Sequence, residues 1–584
     1  HAGQGSAHAR HTHVLRGVVD NTAGQSEDMS GDAWRLSPTY FSRWSSLSGA
    51  VVVNIFSGLS YSFGIYSRSL KESLGFSQGS VDLIASLGEA GQWSTFLVGL
   101  LLERYSPRQV YAMGSLAIGI GLGYVSLAIG KILPTNPACM GVSLYVANFG
   151  SACFAQTATS TVLRNFPATE TGKVSGMIKS IFGLSSAVLS VMYTGLFGDS
   201  GVGGFLLLLS IGVPVLGVLS SIPMNIVPAK HLSYATERVQ GVTARLSPFY
   251  MWFAAVTMFL VATIVPIPAA LPAPWMGILL VALVLSVAAL PLLYGPVRIV
   301  SATLGMARDI CVSGGSSETL IGGNDREGIA SDFRAEEDAC GHEYSPLLGS
   351  SEGFGSTAAG GGSSSLRWRQ CVQDVRFWVL FLGFLCGAGS GLVVINNVAS
   401  LADSLEVTSS GILVSVIGIC NAMGRLGVGW VSDRVVAAGL PRSLLFCAAL
   451  LVSCGVDFML AAGIRALLYP LCVAAGLCYG SIFALVLALT ADLFGSEHVG
   501  TNYGLLDLAG PAIGSFVYAT GVVSLFYKSD STDTPGGYSG DCFGPQCFSG
   551  TFLCTAISCL GACFAVYIFL VKPDVKGRLH RAAL

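Results

Sequence analysis

Five ionisable residues lie inside long apolar runs of the sequence: Glu89, Lys179, Arg425, Asp457 and Asp507. A charged group at the centre of a lipid bilayer costs at least about 2.5 to 3.5 kcal/mol on insertion scales, so such residues normally face a cavity or a partner. The chemistry open to them is the binding of a charged solute and the transfer of a proton. They are therefore the first candidates for a functional site.

Arg425, within GRLGVGWVSDRV (424–435), offers the most specific chemistry of the five. Its planar guanidinium keeps its charge in any environment and donates two parallel hydrogen bonds to a carboxylate. One interpretation is a clamp for a substrate carboxylate. The other is an ion pair that locks the protein in one state.

The remaining charges each have two interpretations. Lys179 is either a second cation for the substrate or the partner of Asp507. Glu89 and Asp507 either carry a coupling proton, because burial favours the neutral carboxyl group, or stay ionised beside Lys179 or Arg425. Asp457 is interpreted as a structural residue.

Polar residues surround these charges in the sequence. Some are candidates to shape a pocket, although each alone is also typical of a helix-packing hydrogen bond: Asn54, Tyr61, Asn148, Gln156, Asn396 and Asn397. Others lie at the inner ends of two apolar runs, where we interpret them as gate and packing residues: Glu103, Arg104, Asp433 and Arg434.

The elements that position these residues are membrane helices. The chain of 584 residues is 52% hydrophobic and only 11% charged, whereas soluble proteins carry about 25% charged residues. The lipid bilayer is thus one partner, and a net charge of -2 does not favour nucleic acid. Runs of about 20 apolar residues can span a bilayer, and fourteen are found: 45–67, 81–102, 109–131, 138–163, 174–198, 201–222, 248–266, 275–295, 377–400, 408–432, 443–464, 466–490, 500–526 and 550–571.

The runs are grouped as six, two and six, which predicts an all-α membrane protein with an extra hairpin between two six-helix halves. The predicted domains are a disordered cytoplasmic tail (1–43), an N-terminal half (44–222), a linker with the hairpin (223–295), a flexible cytoplasmic loop (296–376), a C-terminal half (377–571) and a cytoplasmic tail (572–584).

Lysine and arginine counts predict the orientation. With both termini inside, 24 of these residues lie on the inner side and five on the outer side, and two lie within the membrane. The polar loop that contains Cys542 and Cys547 is then on the outer or lumenal face. These cysteines are either free thiols or a local disulfide, which an oxidising compartment favours.

Two stretches recur in the two halves. Residues 88–104 align with 418–434 at an offset of 330, which pairs Glu103 with Asp433. Residues 166–179 align with 494–507 at an offset of 328, which pairs Lys179 with Asp507. Two matches at nearly one offset indicate homologous halves, an architecture of secondary transporters.

The acidic-Arg turn after the second helix of each half resembles the loop motif of the major facilitator superfamily. The six-two-six layout and four further stretches resemble its nodulin-like branch: 58–93, 163–190, 377–407 and CFGPQCF (542–548). The resemblance implies alternating access around a central cavity lined by the first, second, fourth and fifth helices of each half. Arg425 is similar in position to the substrate-contacting arginine of monocarboxylate carriers, although this chain has Asn421 where those carriers have an acid.

Other chemistries have little support. None of the eight histidines falls in the core of a predicted helix, which argues against a metal site. The sequence has neither a GxxxxGK[ST] nor an HExxH motif, so we expect no ATP, no cofactor and no enzymatic activity.

The sequence therefore predicts a secondary active or facilitative transporter of a small anionic organic solute, with H+ as a candidate coupling ion. The alternative is a non-transporting receptor or sensor on the same scaffold. EYSPLL (343–348) resembles an acidic dileucine signal read by clathrin adaptors through Glu343, Leu347 and Leu348, or it is a chance pattern in the loop. The signal predicts a vacuole-like or lysosome-like membrane, and its failure leaves the plasma membrane open.

Overall fold

The computed structural model describes residues 40–63, 66–67, 74–76, 78–198, 201–227, 241–264, 273–294, 298–299, 365–407, 410–530, 544 and 546–575. Residues 41–297 and 346–584 form one compact unit, which contains every candidate site residue described below. Of a second unit, the structure describes only Tyr40, Arg298 and Ile299. Two short strands are present, β1 (Tyr40–Phe41) and β2 (Arg298–Ile299).

Helices make up almost all of the described residues before 298. They are α1 (Arg43–Ile55), α2 (Gln78–Gln92), α3 (Thr95–Arg104), α4 (Pro107–Ile129), α5 (Pro137–Asn165), α6 (Thr171–Leu196), α7 (Val202–Ser221), α8 (Val242–Ile264) and α9 (Ala273–Leu285), with 3₁₀ turns at Leu59–Ser62, Ala168–Glu170 and Ser286–Tyr294. Local chemistry sets the start of α4, where Ser106 and Gln109 form a reciprocal capping box and Pro107 takes the first helical position.

The described residues from 365 onward are also mostly helical. Its elements are α10 (Trp368–Cys371), α11 (Val375–Ser404), α12 (Ser410–Ala437), α13 (Arg442–Ala461), α14 (Leu468–Phe494), α15 (Val499–Asp507), α16 (Val523–Asp530) and α17 (Gln546–Val566), with a 3₁₀ turn at Arg465–Leu467 and π-helical segments at Leu508–Val522 and Tyr567–Val571. Pro511 has no backbone N–H to donate near the start of the first π-helical segment. Gly495, at φ +85°, ends α14.

Twelve helices among the described residues are long and apolar enough to cross a membrane, compared with the fourteen runs predicted. The runs 45–67 and 81–102 account for the difference, because α1 has only 13 residues and α2 only 15. The second run is interrupted at Trp93 and Ser94, between α2 and α3. The segments Val242–Thr263 and Pro274–Pro291 are included in the twelve.

Two helix pairs bring the N-terminal half (α1–α7) and the C-terminal half (α11–α17) together. α6 packs on α12, and α3 packs on α15. Within the halves, α4 packs on α5 and α7, while α13 packs on α17. Large apolar side chains such as Phe516 and Met258 are exposed on the outside, whereas Asn54 and Asn502 are buried inside. This distribution suits a protein whose surroundings are lipid.

Candidate functional site

Arg425 lies at the contact between the halves. It is on α12 with only 1% of its surface exposed. Its Nε donates to Asn421 Oδ1 at 2.9 Å, and its Nη1 donates to the backbone oxygen of Lys179 on α6 at 2.9 Å. The sequence spacing explains the first bond, since residues four apart share a helix face. The second bond ties the C-terminal half to the N-terminal half.

One edge of this guanidinium is open to further bonding. Nη2 has no hydrogen-bond partner within the described part of the chain, and no carboxylate forms an ion pair with Arg425 there. Aromatic rings cover the faces of the group: Phe483 lies 4.8 Å from Cζ and Phe182 lies 6.0 Å away. Among the described residues, the charge is thus stabilised by cation–π contacts and neutral oxygens and has no acidic partner.

Lys179 and Asp507 are neighbours but do not form the direct ion pair that was one interpretation of the repeat. In the described residues no contact within 4 Å joins their charged atoms. The Lys179 ammonium lies 4.2 Å from the ring centre of Tyr503. The Tyr503 hydroxyl lies 3.1 Å from Asp507 Oδ1, and the Thr95 hydroxyl lies 3.3 Å from Oδ2. Tyr503 therefore contacts both charged groups, and Thr95 links Asp507 to α3 of the other half.

Asp433 connects the halves at the start of α6. Its Oδ1 and Oδ2 accept the backbone N–H groups of Gly172 and Lys173, each at 2.8 Å. Arg442 approaches the same carboxylate at 2.6 Å, and both side chains are almost fully buried. The first N–H groups of a helix lack partners within the helix and favour negative charge. Asp433 thus caps a helix of the opposite half.

Glu103 makes the equivalent contact in the reverse direction. Its Oε1 accepts the Thr501 hydroxyl at 2.7 Å, and Thr501 is the third residue of α15, as Lys173 is of α6. We call Glu103, Thr501, Gly172 and Asp433 the inter-half gate, after the role that the sequence predicts for the two acids. Both acids thus act on the first turn of a helix in the other half, as expected of a repeated unit.

Glycines make the close approach at this gate feasible. A Cβ on Gly429 would collide with the backbone oxygen of Gly172, and one on Gly99 would lie 2.8 Å from the Thr501 nitrogen. A Cβ on Gly176 would lie 2.5 Å from the backbone oxygen of Arg425 and 3.0 Å from the Gly429 Cα, both on α12. Only residues without a side chain permit such backbone contact.

The other predicted residues are divided between the interface and the periphery. Gln156 donates to the backbone oxygen of Gly500 across the halves, whereas Asn54 donates to Ile178 within its own half. Asn396 is exposed on α11, and Glu89 is partly exposed on α2. The side chain of Tyr61 lies outside the described residues.

The two gate arginines do not cross between the halves. Arg104 is exposed at the end of α3 and makes no hydrogen bond within the described ranges. Arg434 lies over the ring of Trp430 on its own helix, 3.3 Å from the ring centre. Their predicted part in the gate stays a prediction.

Two further predictions involve residues that are largely outside the description. Cys547 is disulfide-bonded, but Cys542 lies outside the described residues, so the pairing stays a prediction. Glu343, Leu347 and Leu348 also lie outside them. The described residues contain no group of three metal-ligating side chains.

Sequence reasoning missed Tyr503, Phe483 and Arg442. Tyr503 precedes Asp507 by four residues, so helical spacing was a signal for their contact. Phe483 and Arg442 belong to other helices, and no local pattern connects them to Arg425 or Asp433.

Comparisons with known proteins cover both halves. Residues 43–299 match the family described as Nodulin-like, and residues 366–573 match the NFD4 C-terminal domain. The protein NUCLEAR FUSION DEFECTIVE 4 of Arabidopsis thaliana is 26% identical over 566 residues, which are 92% of this chain and 90% of that protein. The probable transporter mch1 of Neurospora crassa is 26% identical over 33% of this chain and 38% of its own length.

The fold also has a solved counterpart. The proton:xylose symporter XylE, of the major facilitator superfamily, superposes with a TM-score of 0.51 and 11% identity, covering 90% of this chain and 96% of that one. This similarity concerns the arrangement of helices.

Proposed function

Because the chain belongs to the nodulin-like family of major facilitator superfamily transporters, we propose that it carries a small organic anion by alternating access, with Arg425 as the substrate clamp. Membership of this family makes the chain an integral multi-pass membrane transporter and not an enzyme, as the sequence predicted. No feature of the described residues supports the receptor alternative.

The observation that carries the proposal is the unneutralised guanidinium between the halves. Arg425 has an unused Nη2, no acidic partner among the described residues and almost no solvent exposure. A buried charge of this kind is costly unless it is paired, so an anion that bonds to it gains strong interactions. Lys179, the second cation, comes from the other half and lies on the Tyr503 ring.

The same bonds suggest how the anion couples to movement. The Nη1 bond to the Lys179 backbone oxygen holds α12 against α6, beside the gate. When the halves separate at the gate, this bond breaks, and Nη1 becomes free to donate a hydrogen bond to another acceptor. A substrate carboxylate replaces that carbonyl oxygen in the state that is open at the gate. Positive-inside counting assigns the gate to the cytoplasmic face.

We also propose that α8 and α9 form an extra hairpin beside two halves of six spans each, so that the chain crosses the membrane fourteen times. Trp252 Nε1 donates to the Leu283 oxygen at 2.8 Å and joins α8 to α9. The Tyr250 hydroxyl donates to the Lys173 oxygen at 3.1 Å and fixes α8 to α6. The hairpin thus packs on the N-terminal half. The short α1, α2 and α3 complete the first two spans.

Uptake by the purified full-length protein in proteoliposomes tests the clamp, with labelled pyruvate and lactate as probes. Arg425→Lys keeps the charge but loses the planar fork. Loss of one hydrogen bond to a charged group, about 1.5 to 3 kcal/mol, lowers uptake by about 10- to 150-fold. Arg465→Lys, at a residue with a 61% exposed side chain, is the matched control and retains wild-type uptake.

The outcome is decisive in both directions. Wild-type uptake by Arg425→Lys, with normal reconstitution, shows that Arg425 is not a clamp. Absence of uptake by the wild-type protein for every labelled anion, together with uptake of a neutral solute, overturns the anionic substrate class.

A further inference from the structure

A second buried carboxyl group lies inside the C-terminal half. Asp457, on α13, is 1% exposed, and the Ser390 hydroxyl of α11 donates to its Oδ2 at 2.6 Å. The Thr555 hydroxyl of α17 also lies against it. No Lys, Arg or His of the described chain faces the group. The titratable groups near it are neutral thiols and a phenol, namely Cys454, Cys478, Cys559 and Tyr479.

An ionised carboxylate is energetically unfavourable in this position. Its transfer from water to a low-dielectric interior costs several kcal/mol when no cation compensates it. One or two hydroxyl donors recover only part of that cost. The group therefore favours the form that carries a proton.

A small cavity beside Asp457 provides a place for proton exchange. Three helices line it, with Gly387, Ser390, Gly391 and Val394 from α11, Ser453, Val456 and Asp457 from α13, and Ala475 and Tyr479 from α14. It has room for about one water molecule. Ser390, Tyr479 and Asp457 line the cavity, and their hydroxyl and carboxyl groups are suitable hydrogen-bond partners for a water molecule.

Aromatic contacts connect the cavity to the Arg425 site. Tyr479 lines the cavity, and its ring centre lies 4.9 Å from that of Phe483. Phe483 in turn lies 4.8 Å from the Arg425 guanidinium. Tyr479 also packs against Gly391, because a Cβ added to Gly391 would lie 3.0 Å from the Tyr479 Cβ. A shift of α14 against α11 therefore affects both the carboxyl group and the guanidinium.

We propose that Asp457 is a proton-binding site inside the C-terminal half, and that its protonation is coupled through Tyr479 and Phe483 to anion binding at Arg425. The coupling rests on the proposed function, whereas the proton site does not. A bound proton neutralises the Asp457 carboxyl group, which has no cationic partner in the described chain. Its release requires the cavity to admit water as α11 and α14 move.

Infrared difference spectroscopy between acidic and neutral buffer, on the full-length protein in liposomes, tests the proton site without a substrate. We expect a protonated carboxyl band that Asp457→Asn removes and that Ser390→Ala shifts, because Ser390 donates to this group. Asp374→Asn, at a partly buried carboxylate paired with Arg376, is the control and leaves the band in place. Identical difference spectra for wild type and Asp457→Asn overturn the proposal, as does a band that responds to Na+ at constant pH.

Pyruvate then tests the coupling. In liposomes that contain a pH-sensitive dye, wild-type protein moves protons when pyruvate is added, and Asp457→Asn loses proton movement but retains pyruvate exchange. Proton movement by Asp457→Asn at the wild-type rate overturns the coupling. If the wild-type protein carries no pyruvate but the Asp457 band is present, the proposed substrate class fails and the proton site stands. Ser390→Ala provides a second variant if Asp457→Asn does not fold.

Discussion

Gly429→Ala should open the inter-half gate. The added methyl group collides with the backbone oxygen of Gly172 and lies 3.0 Å from the Gly176 Cα, both on α6 of the other half. A backbone cannot rotate away as a side chain can, so α6 and α12 must separate. Overpacking of this kind costs about 1 to 3 kcal/mol.

That cost applies only when the gate is closed. The ratio of open to closed molecules therefore rises by about 5- to 150-fold for 1 to 3 kcal/mol. Gly427→Ala is a matched control, because Gly427 lies two residues away on the same helix and a Cβ there meets nothing within 4 Å. Both substitutions increase helix propensity equally.

Hydrogen–deuterium exchange of a peptide that covers residues 168–178 measures the opening. The Gly172 and Lys173 amides have no acceptor within α6 and are protected by Asp433 across the gate. We expect their exchange to accelerate in Gly429→Ala by the same factor as the population shift, and to be unchanged in Gly427→Ala. Unchanged exchange in Gly429→Ala, or equal acceleration in both variants, would refute the reasoning.

Three further predictions concern the gate, the loop thiols and the cellular location of the protein. Asp433→Asn removes charge-assisted bonds worth about 1.5 to 3 kcal/mol each, so we expect it to accelerate hydrogen exchange at the Gly172 and Lys173 amides more than Glu103→Gln does. Faster exchange in Glu103→Gln would contradict the capping role of Asp433. Mass spectrometry of alkylated, non-reduced protein should find Cys542 and Cys547 linked, and a Cys547 linked elsewhere disproves this pairing. Leu347→Ala with Leu348→Ala should move a fluorescently tagged protein from an internal membrane to the cell surface, and an unchanged location rules out the signal.

Much of the architecture could be predicted because its signals are local. Apolar runs of span length identify membrane helices, and the counts of Lys and Arg predict their orientation. The offset of about 330 residues related Glu103 to Asp433 before any contact was known. The same reasoning overcounted uninterrupted spans, because hydropathy does not reveal where α2 ends and α3 begins at Trp93 and Ser94.

The partners of the charges could not be predicted in this way. The repeat matches Lys179 with Asp507 and made an ion pair one interpretation, yet each of them contacts Tyr503 instead. Asp457 was interpreted as structural because its helix is usually peripheral. Only the tertiary structure shows the cavity beside Asp457, which Tyr479 lines. The contact of Tyr479 with Phe483 then relates Asp457 to Arg425.

By itself, the sequence determined that this chain is a two-part membrane transporter with charges placed in its helices, because apolar length, charge cost and repetition are properties of single segments. The tertiary structure alone decided that Asp433 caps α6, that Glu103 contacts Thr501 and that Arg425 packs on the Phe483 ring with no acidic partner among the described residues. These contacts join residues some 250 to 400 positions apart. Their geometry depends on how two helices of different halves pack, since backbone contact at Gly172 and Gly429 is what brings the charged groups within bonding distance.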